Sequence, residues 1–462
     1  MAKKMWGGRF KKKTDKAAEA FLSSFEQDKV LAEYDCKAGI AHVRMLAKAG
    51  IIKEAEKKKI VKGLSSILSE ARKGKIVTDE VFEDVHTYVQ QTLKERIGDV
   101  ADKLHIARSR NDLVSAETRM MSKAEIKKIV AGLRNVQKAM LYIAKKNKDI
   151  VIPGYTHLRH AQPVLFAHYM LAYVEMLERD KARLLDALVR VDASPLGVGA
   201  LAGTSLHVDR AMLTKELGFA KTMQNSMDAV SDRDFVLEIL SCLSILSMHL
   251  SRLSEDLIVY SSNEFSFIEL DEAFCTGSSM MPHKKNADTL ELIRGECAEV
   301  YGNLVSAFTM MKGLPLSYNR DMQLDKKLLF NAISIVDREL PILERLIKTL
   351  EINKMAVAGQ LGDEFLYATD IMEFLMKKGL SHAAAHEAVG KLVAYCVKSG
   401  SKISQLSLDD LKTFSDKFDY SAYKLIKGTA SVRFKYSTGG TSPVNVSKAL
   451  KNWDKRLKPA GK

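Results

Sequence analysis

Proline is scarce in this chain, with 8 residues in 462, and glycine contributes only 26. A protein of many short strands needs both at its turns, so their scarcity beside abundant Ala, Leu, Lys and Glu points to long helices. Cysteine is scarce too. The five (Cys36, Cys242, Cys275, Cys297 and Cys396) are odd in number, widely spaced and include no C-x-x-C. That argues against a disulfide framework or a zinc site and fits a reducing cytosol. Met1 to Lys13 is basic but lacks an apolar run, so no secretory signal is expected. Internal repeats and low-complexity linkers are missing as well.

The formal net charge is +14, with lysine clusters at Lys11 to Lys13 and Lys57 to Lys59. No basic stretch is interleaved with aromatics and no zinc or Gly-rich motif accompanies one, which argues against a nucleic-acid partner. The balance fits a solvated surface that also draws in an acidic substrate. With 46% hydrophobic and 28% charged residues, the chain reads as an ordinary globular protein of two or three domains.

What is present is helical periodicity. It runs from about Ala17 to Ala71, punctuated by Gly50 and Gly74. A pattern from Pro163 to about Asp192 predicts a helix of roughly 45 Å with Pro163 in its first turn. Phe235 to Tyr260 is apolar almost all round; Glu238, His249, Arg252 and five serines argue against a membrane span and for a bundle or oligomer core. Helices are expected over Asp288 to Met311 and Asp325 to Leu350, with a kink at Pro341. We read three all-helical domains: 1–110, a long-helix bundle over 111–360, and a small domain over 361–462.

Candidate chemistry lies in a few polar strings. Gly277-Ser278-Ser279-Met280-Met281-Pro282-His283-Lys284-Lys285-Asn286 is a loop rich in N–H, hydroxyl and ammonium donors. It suits an anion, or negative charge that develops during a reaction, although a Ser-rich turn capping a helix would also read this way. Ala107 to Asp112 sets two arginines before a helix, where guanidinium forks and the helix dipole both favour a carboxylate. Gly154 to Pro163 places Thr156 and His157 in a loop ahead of a long helix, and histidine moves a proton readily near neutral pH. Glu291 follows the donor-rich loop by one turn and could pair with an imidazole. Ser24 and Asp28 share a helix face, and Asp84 or Thr87 caps the helix that follows.

These strings together resemble the argininosuccinate lyases of the fumarase/aspartase superfamily. GSSMMPHKKN matches the superfamily pattern G-S-S-x-M-P-x-K-x-N at every fixed position. Trp6 to Phe10, Ser109 to Asp112, GYTHLRHAQP, Asp228 to Phe235 and Tyr318 to Gln323 resemble this member more than its sisters, and the likeness runs from residue 5 to about 446. The resemblance implies a reversible, cofactor- and metal-free β-elimination of argininosuccinate to arginine and fumarate, in arginine biosynthesis or nitrogen disposal. It implies Ser278 as the base and His157, paired with Glu291, as the partner acid, with the direction of proton transfer left open, and Lys284 stabilising charge. It also implies Ser24, Arg110, Asn111, Thr156, Asn286, Tyr318, Gln323, Lys326 and His86 as substrate-binding residues. A cytoplasmic homotetramer with a 20-helix core and sites shared among three subunits follows, with neither membrane nor nucleic acid involved. His283, Ala287 and Leu113 depart from the usual Gln, Pro and Gln, and without a proline after Asn286 the loop is expected to be more mobile. The alternatives are a sister lyase, a non-catalytic protein on the same scaffold, and a basic nucleic-acid binder.

Overall fold

The structure, a computed structural model, describes residues 12–76 and 82–458. Trp6 to Phe10 lies outside them. Helix makes up 69% of the fold, and the described strands form only three two-stranded pairs. Five helices dominate: α1 (Arg110–Lys146), α2 (Phe166–Val191), α3 (Asp234–Ser261), α4 (Asp288–Met311) and α5 (Asp325–Thr349). The 37 residues of α1 extend about 55 Å at the usual rise. α3 is long and apolar enough to cross a membrane by length and composition, but 61% of the qualifying window is buried within the chain. Leu243, Leu246, Leu250, Leu253 and Leu257, spaced three and four apart, are among its buried side chains.

Contacts gather the chain into two compact units. The first comprises Met1–Ala131, Asp180–Leu246 and Cys297–Asp337. Its short helices Ala32–Lys48, Glu54–Arg72 and Val85–Ile97 bury Leu46, Leu64, Ile67, Val89 and Leu93 in one cluster. Each fully buried aliphatic of this kind is worth about 1.5–3 kcal/mol. Gly50 and Gly74 end the first two helices in left-handed conformations (φ 72° and 65°), as their spacing predicts. Polar links join the long helices here: Arg190 to Glu238, Lys128 to Asp337 at 2.6 Å, and Asn331 to Glu299 at 3.2 Å. A buried pair, Arg233 and Asp325, ties the start of α5 to the residue preceding α3.

The second unit comprises Gly132–Arg179, Ser247–Glu296 and Arg338–Lys462. Gln137 donates to the Val174 carbonyl at 3.1 Å, Tyr173 to Asp256 at 2.6 Å, Arg294 to Glu255 at 2.6 Å, and Arg338 to Glu296 at 3.0 Å. Ile371, Leu375, Leu392, Leu411 and Phe418 form a separate apolar cluster under the short C-terminal helices.

One prediction needs correcting. Pro163 does not begin a helix. Residues 151–165 form an antiparallel hairpin of β1 (Val151–Thr156) and β2 (Arg159–Leu165), with Pro153 opposite Pro163, and α2 starts only at Phe166. A two-stranded ribbon has two free edges, so neither proline N is required to donate to a further strand. The segment read as a plain loop around His157 is therefore a hairpin tip.

Candidate active site

In the first unit a cleft of about 100 Å³ is lined by Ser24, His86, Arg110, Asn111, Tyr318, Gln323 and Lys326, together with Asp28, Asp84, Val114 and Arg320. Ser24 is buried there, and its hydroxyl donates to Asp28 at 2.6 Å. Asp28 also accepts from the Val85 N–H at 3.0 Å, and burial pushes its carboxyl up to about 6 against the opposing pull of His86 and Ser24. Asp84 caps Val85–Ile97 through the Thr87 N–H at 2.8 Å and also faces Arg110 at 2.8 Å. Burial opposes its charge, but His86 and Arg110 outweigh that and hold it below the usual carboxylate range. Arg110 further contacts Glu83 at 3.1 Å and Thr87 at 2.9 Å, which fixes the fork at the head of α1.

His86 is, with Lys326, a buried cation of this cleft. Its Nδ1 donates to Asp35 at 2.7 Å, with Glu117 at 3.6 Å. Burial disfavours an imidazolium, yet Glu117, Asp35 and Asp84 together raise it to about 9. Asp35, His86 and Glu117 offer ligand atoms within 4.8 Å of one another, a spacing that a metal ion could use. Burial drives the Glu117 carboxyl well above its usual range, which weakens it as a metal ligand, and the direct His86–Asp35 hydrogen bond favours the imidazolium instead. Lys326 is held by Asp325 at 3.1 Å, a carboxylate that also takes Arg233. The cleft thus offers Arg110, Arg320, Lys326 and His86 to anions, and Asp28 with Asp84 to a cationic group. That mixture fits a zwitterionic ligand carrying more than one carboxylate.

The remaining predicted residues lie in the second unit. Thr156 ends β1, and His157 and Leu158 form the two-residue tip in left-handed conformations (φ 55° and 56°). Gly154 is needed beside them, since a Cβ there would come within 2.6 Å of the Gln162 carbonyl oxygen. The donor-rich loop is closed by mutual backbone hydrogen bonds of Thr276 and Asn286 at 3.1 and 2.8 Å. Inside it Ser278 Oγ accepts from the N–H groups of Met281 at 3.0 Å and Met280 at 3.3 Å. Such donors end a serine turn, and they also favour negative charge on that oxygen. Lys285 is occupied by Glu269 and the Leu270 carbonyl, whereas the Lys284 ammonium makes no ion pair or hydrogen bond among the described residues and is exposed; only the Lys284 backbone N–H is engaged, donating to the Met281 carbonyl at 3.1 Å. Glu291 sits exposed in the first turn of α4. Within a single chain His157 and Glu291 share no hydrogen bond or ion pair among the described residues.

The family model described as "Lyase" matches residues 8–302, and that described as "Argininosuccinate lyase C-terminal" matches 365–433. An argininosuccinate lyase of Pelotomaculum thermopropionicum is 46% identical over 455 residues, spanning 98% of this chain and 99% of that relative. The chain belongs to the argininosuccinate lyase family. Another argininosuccinate lyase, from Syntrophotalea carbinolica, is 45% identical over 97% of this chain and 98% of its own length. Among solved structures, an EDDS lyase in complex with formate superimposes with a TM-score of 0.81 at 26% identity, covering 93% of this chain and 86% of that one. A class II fumarase from Schistosoma mansoni shares the fold at TM-score 0.76 and 16% identity, over 88% and 91% of the two chains. As a member of a lyase family the chain is an enzyme.

Sequence reasoning missed Asp28, Asp84, Val114 and Arg320 as lining residues of this cleft. The Ser24–Asp28 spacing was the available signal for the first. Arg320 stood inside the Tyr318 to Gln323 string, and Asp84 read only as a cap.

Proposed function

We propose that this member of the family catalyses the reversible β-elimination of argininosuccinate to L-arginine and fumarate, without cofactor or metal. The observation that carries the reading is the cleft's charge pattern. The substrate has several carboxylates for Arg110, Lys326 and His86, and an ammonium and guanidinium for Asp28 and Asp84. Asn111, Tyr318, Gln323 and Ser24 complete its binding, with Thr156 and Asn286 from the hairpin and donor loop.

The chemical difficulty is removing a proton from carbon beside a carboxylate. The product of that step is a doubly negative aci-carboxylate, which converging donors must stabilise. Ser278 takes the proton, its oxygen favoured as the anion by the Met280 and Met281 N–H groups and by Lys284. His157 supplies a proton to the departing guanidine, oriented and made more basic by Glu291.

That pairing is made between chains, in a cytoplasmic homotetramer whose sites each draw on three subunits and whose core holds twenty helices. Leu292, Tyr301, Val305 and Phe308 support this: they leave α4 with apolar side chains 67%, 42%, 64% and 51% exposed. The chain divides into domains at 110 and 360, and no nucleic acid or membrane takes part. The role is the last step of arginine biosynthesis or its counterpart in nitrogen disposal. The test is fumarate release, followed by ultraviolet absorbance, from argininosuccinate, adenylosuccinate and aspartate offered separately. Release from argininosuccinate alone is expected; release only from another substrate would overturn the assignment.

A further inference from the structure

We propose that Asp363 and His160 are positioning residues for His157, acting through the hairpin that carries it. The inference rests on the reading of His157 as a catalytic group.

The hairpin tip is conformationally costly. A two-residue turn with both φ angles positive is normally supplied by Asn-Gly, because a Cβ crowds the backbone there. Here His157 and Leu158 occupy it, at about 1–2 kcal/mol each. Burial does not offset this at Leu158, which is 76% exposed. The ladder beneath is also weak: Pro153 faces Pro163, and a register shift follows between Pro153 and Tyr155. Only the pairs Tyr155–His160 and Thr156–Arg159 lie between that irregularity and the tip.

Side chains supply the missing restraint. His160 Nδ1 lies 2.7 Å from Asp363 Oδ2, and its Nε2 lies 3.0 Å from the Tyr155 hydroxyl. A carboxylate only accepts, so Asp363 fixes the proton on Nδ1 and leaves Nε2 to accept from Tyr155. Asp363 is itself held, because its other oxygen caps the Glu364–Tyr367 turn through the Phe365 N–H at 3.0 Å. At the opposite end the Tyr155 ring packs on Phe265 and Phe267, with centroids 5.5 and 6.2 Å away. The cross-strand pair next to Thr156 and His157 is therefore anchored at both ends. His160 and Asp363 are 23% and 34% exposed, so neither forms part of the apolar core.

The test is a double-mutant cycle on the purified full chain, using Asp363→Asn, Tyr155→Phe and His157→Gln. Asparagine can keep the Phe365 contact through its carbonyl oxygen but can meet His160 only by donating to Nδ1, which forces the opposite tautomer and removes the charge, and Tyr155→Phe removes only a hydroxyl, so a folded variant is secured. Asp363→Asn should lower kcat about tenfold with KM within about twofold, since a misplaced group loses rate before binding. Added to His157→Gln, it should cost nothing further. Hydrogen exchange over residues 151–165 should quicken in Asp363→Asn and, to a lesser degree, in Tyr155→Phe. Unchanged exchange there, or an equal kcat loss in the His157→Gln background, overturns the proposal. Near-normal turnover of His157→Gln would instead remove the catalytic reading on which it rests.

Discussion

At the scale of single residues the decisive feature is a buried cation among carboxylates. His86 is raised from 6.5 to about 9, so the folded chain holds its proton more tightly than the unfolded chain does. The stabilisation is complete below pH 6.5 and is lost as pH rises through 9, about 3 kcal/mol by linkage. Calorimetry should therefore show the melting temperature falling across that window, and an unchanged value would contradict the protonated assignment. Asp28, raised from 3.8 to about 6, acts in the same direction at lower pH. Much of this cleft's lining is legible beforehand. Arg110, Tyr318 and Lys326 carry over from the resemblance to argininosuccinate lyases, and all three line it. Asp28 is not legible, because an acid four residues from a serine looks the same on a surface as in a pocket. Only the fold, by burying Phe25 and Asp28 together, makes the difference. Likewise nothing in a Lys-Lys pair tells which ammonium is occupied; Glu269, far in sequence, takes Lys285 and leaves Lys284.

Among the elements, four of the five long helices are legible almost to their ends, because apolar periodicity over 24 or more residues is hard to mistake, whereas of α1, the longest, only the start is legible. The hairpin at 151–165 was missed. Its two prolines and its bulge erase strand alternation, and Pro163 mimics a helix start. Gly154→Ala tests this element: its Cβ would meet the Gln162 carbonyl oxygen at 2.6 Å, so the strands must part. We expect a loss of about 1–3 kcal/mol in stability and a clear drop in turnover; parent-like values for both would mean that the hairpin does not hold the tip. The donor loop offers a second test. Ala287 stands where relatives of this family usually carry proline, and its carbonyl accepts from Leu290 and Glu291 at the head of α4. Ala287→Pro should slow hydrogen exchange over residues 277–286 and stabilise by about 0.4–1 kcal/mol. Faster exchange in that variant would contradict a loop freed by the lack of proline.

At the scale of the whole molecule, the charged cleft and the donor loop belong to different compact units, and within one chain His157 and Glu291 share no hydrogen bond or ion pair among the described residues. The proposed sites, each drawing on several subunits, would account for both. Mixing inactive Ser278→Ala with inactive His157→Ala chains should then restore part of the activity, and no recovery after verified subunit exchange would count against shared sites. The most direct measurement is made on Ser278→Ala alone. Purified variant should bind argininosuccinate with an affinity within a few fold of the parent, while fumarate release falls by about a thousandfold or more. Turnover close to the parent rate would contradict the account at its centre.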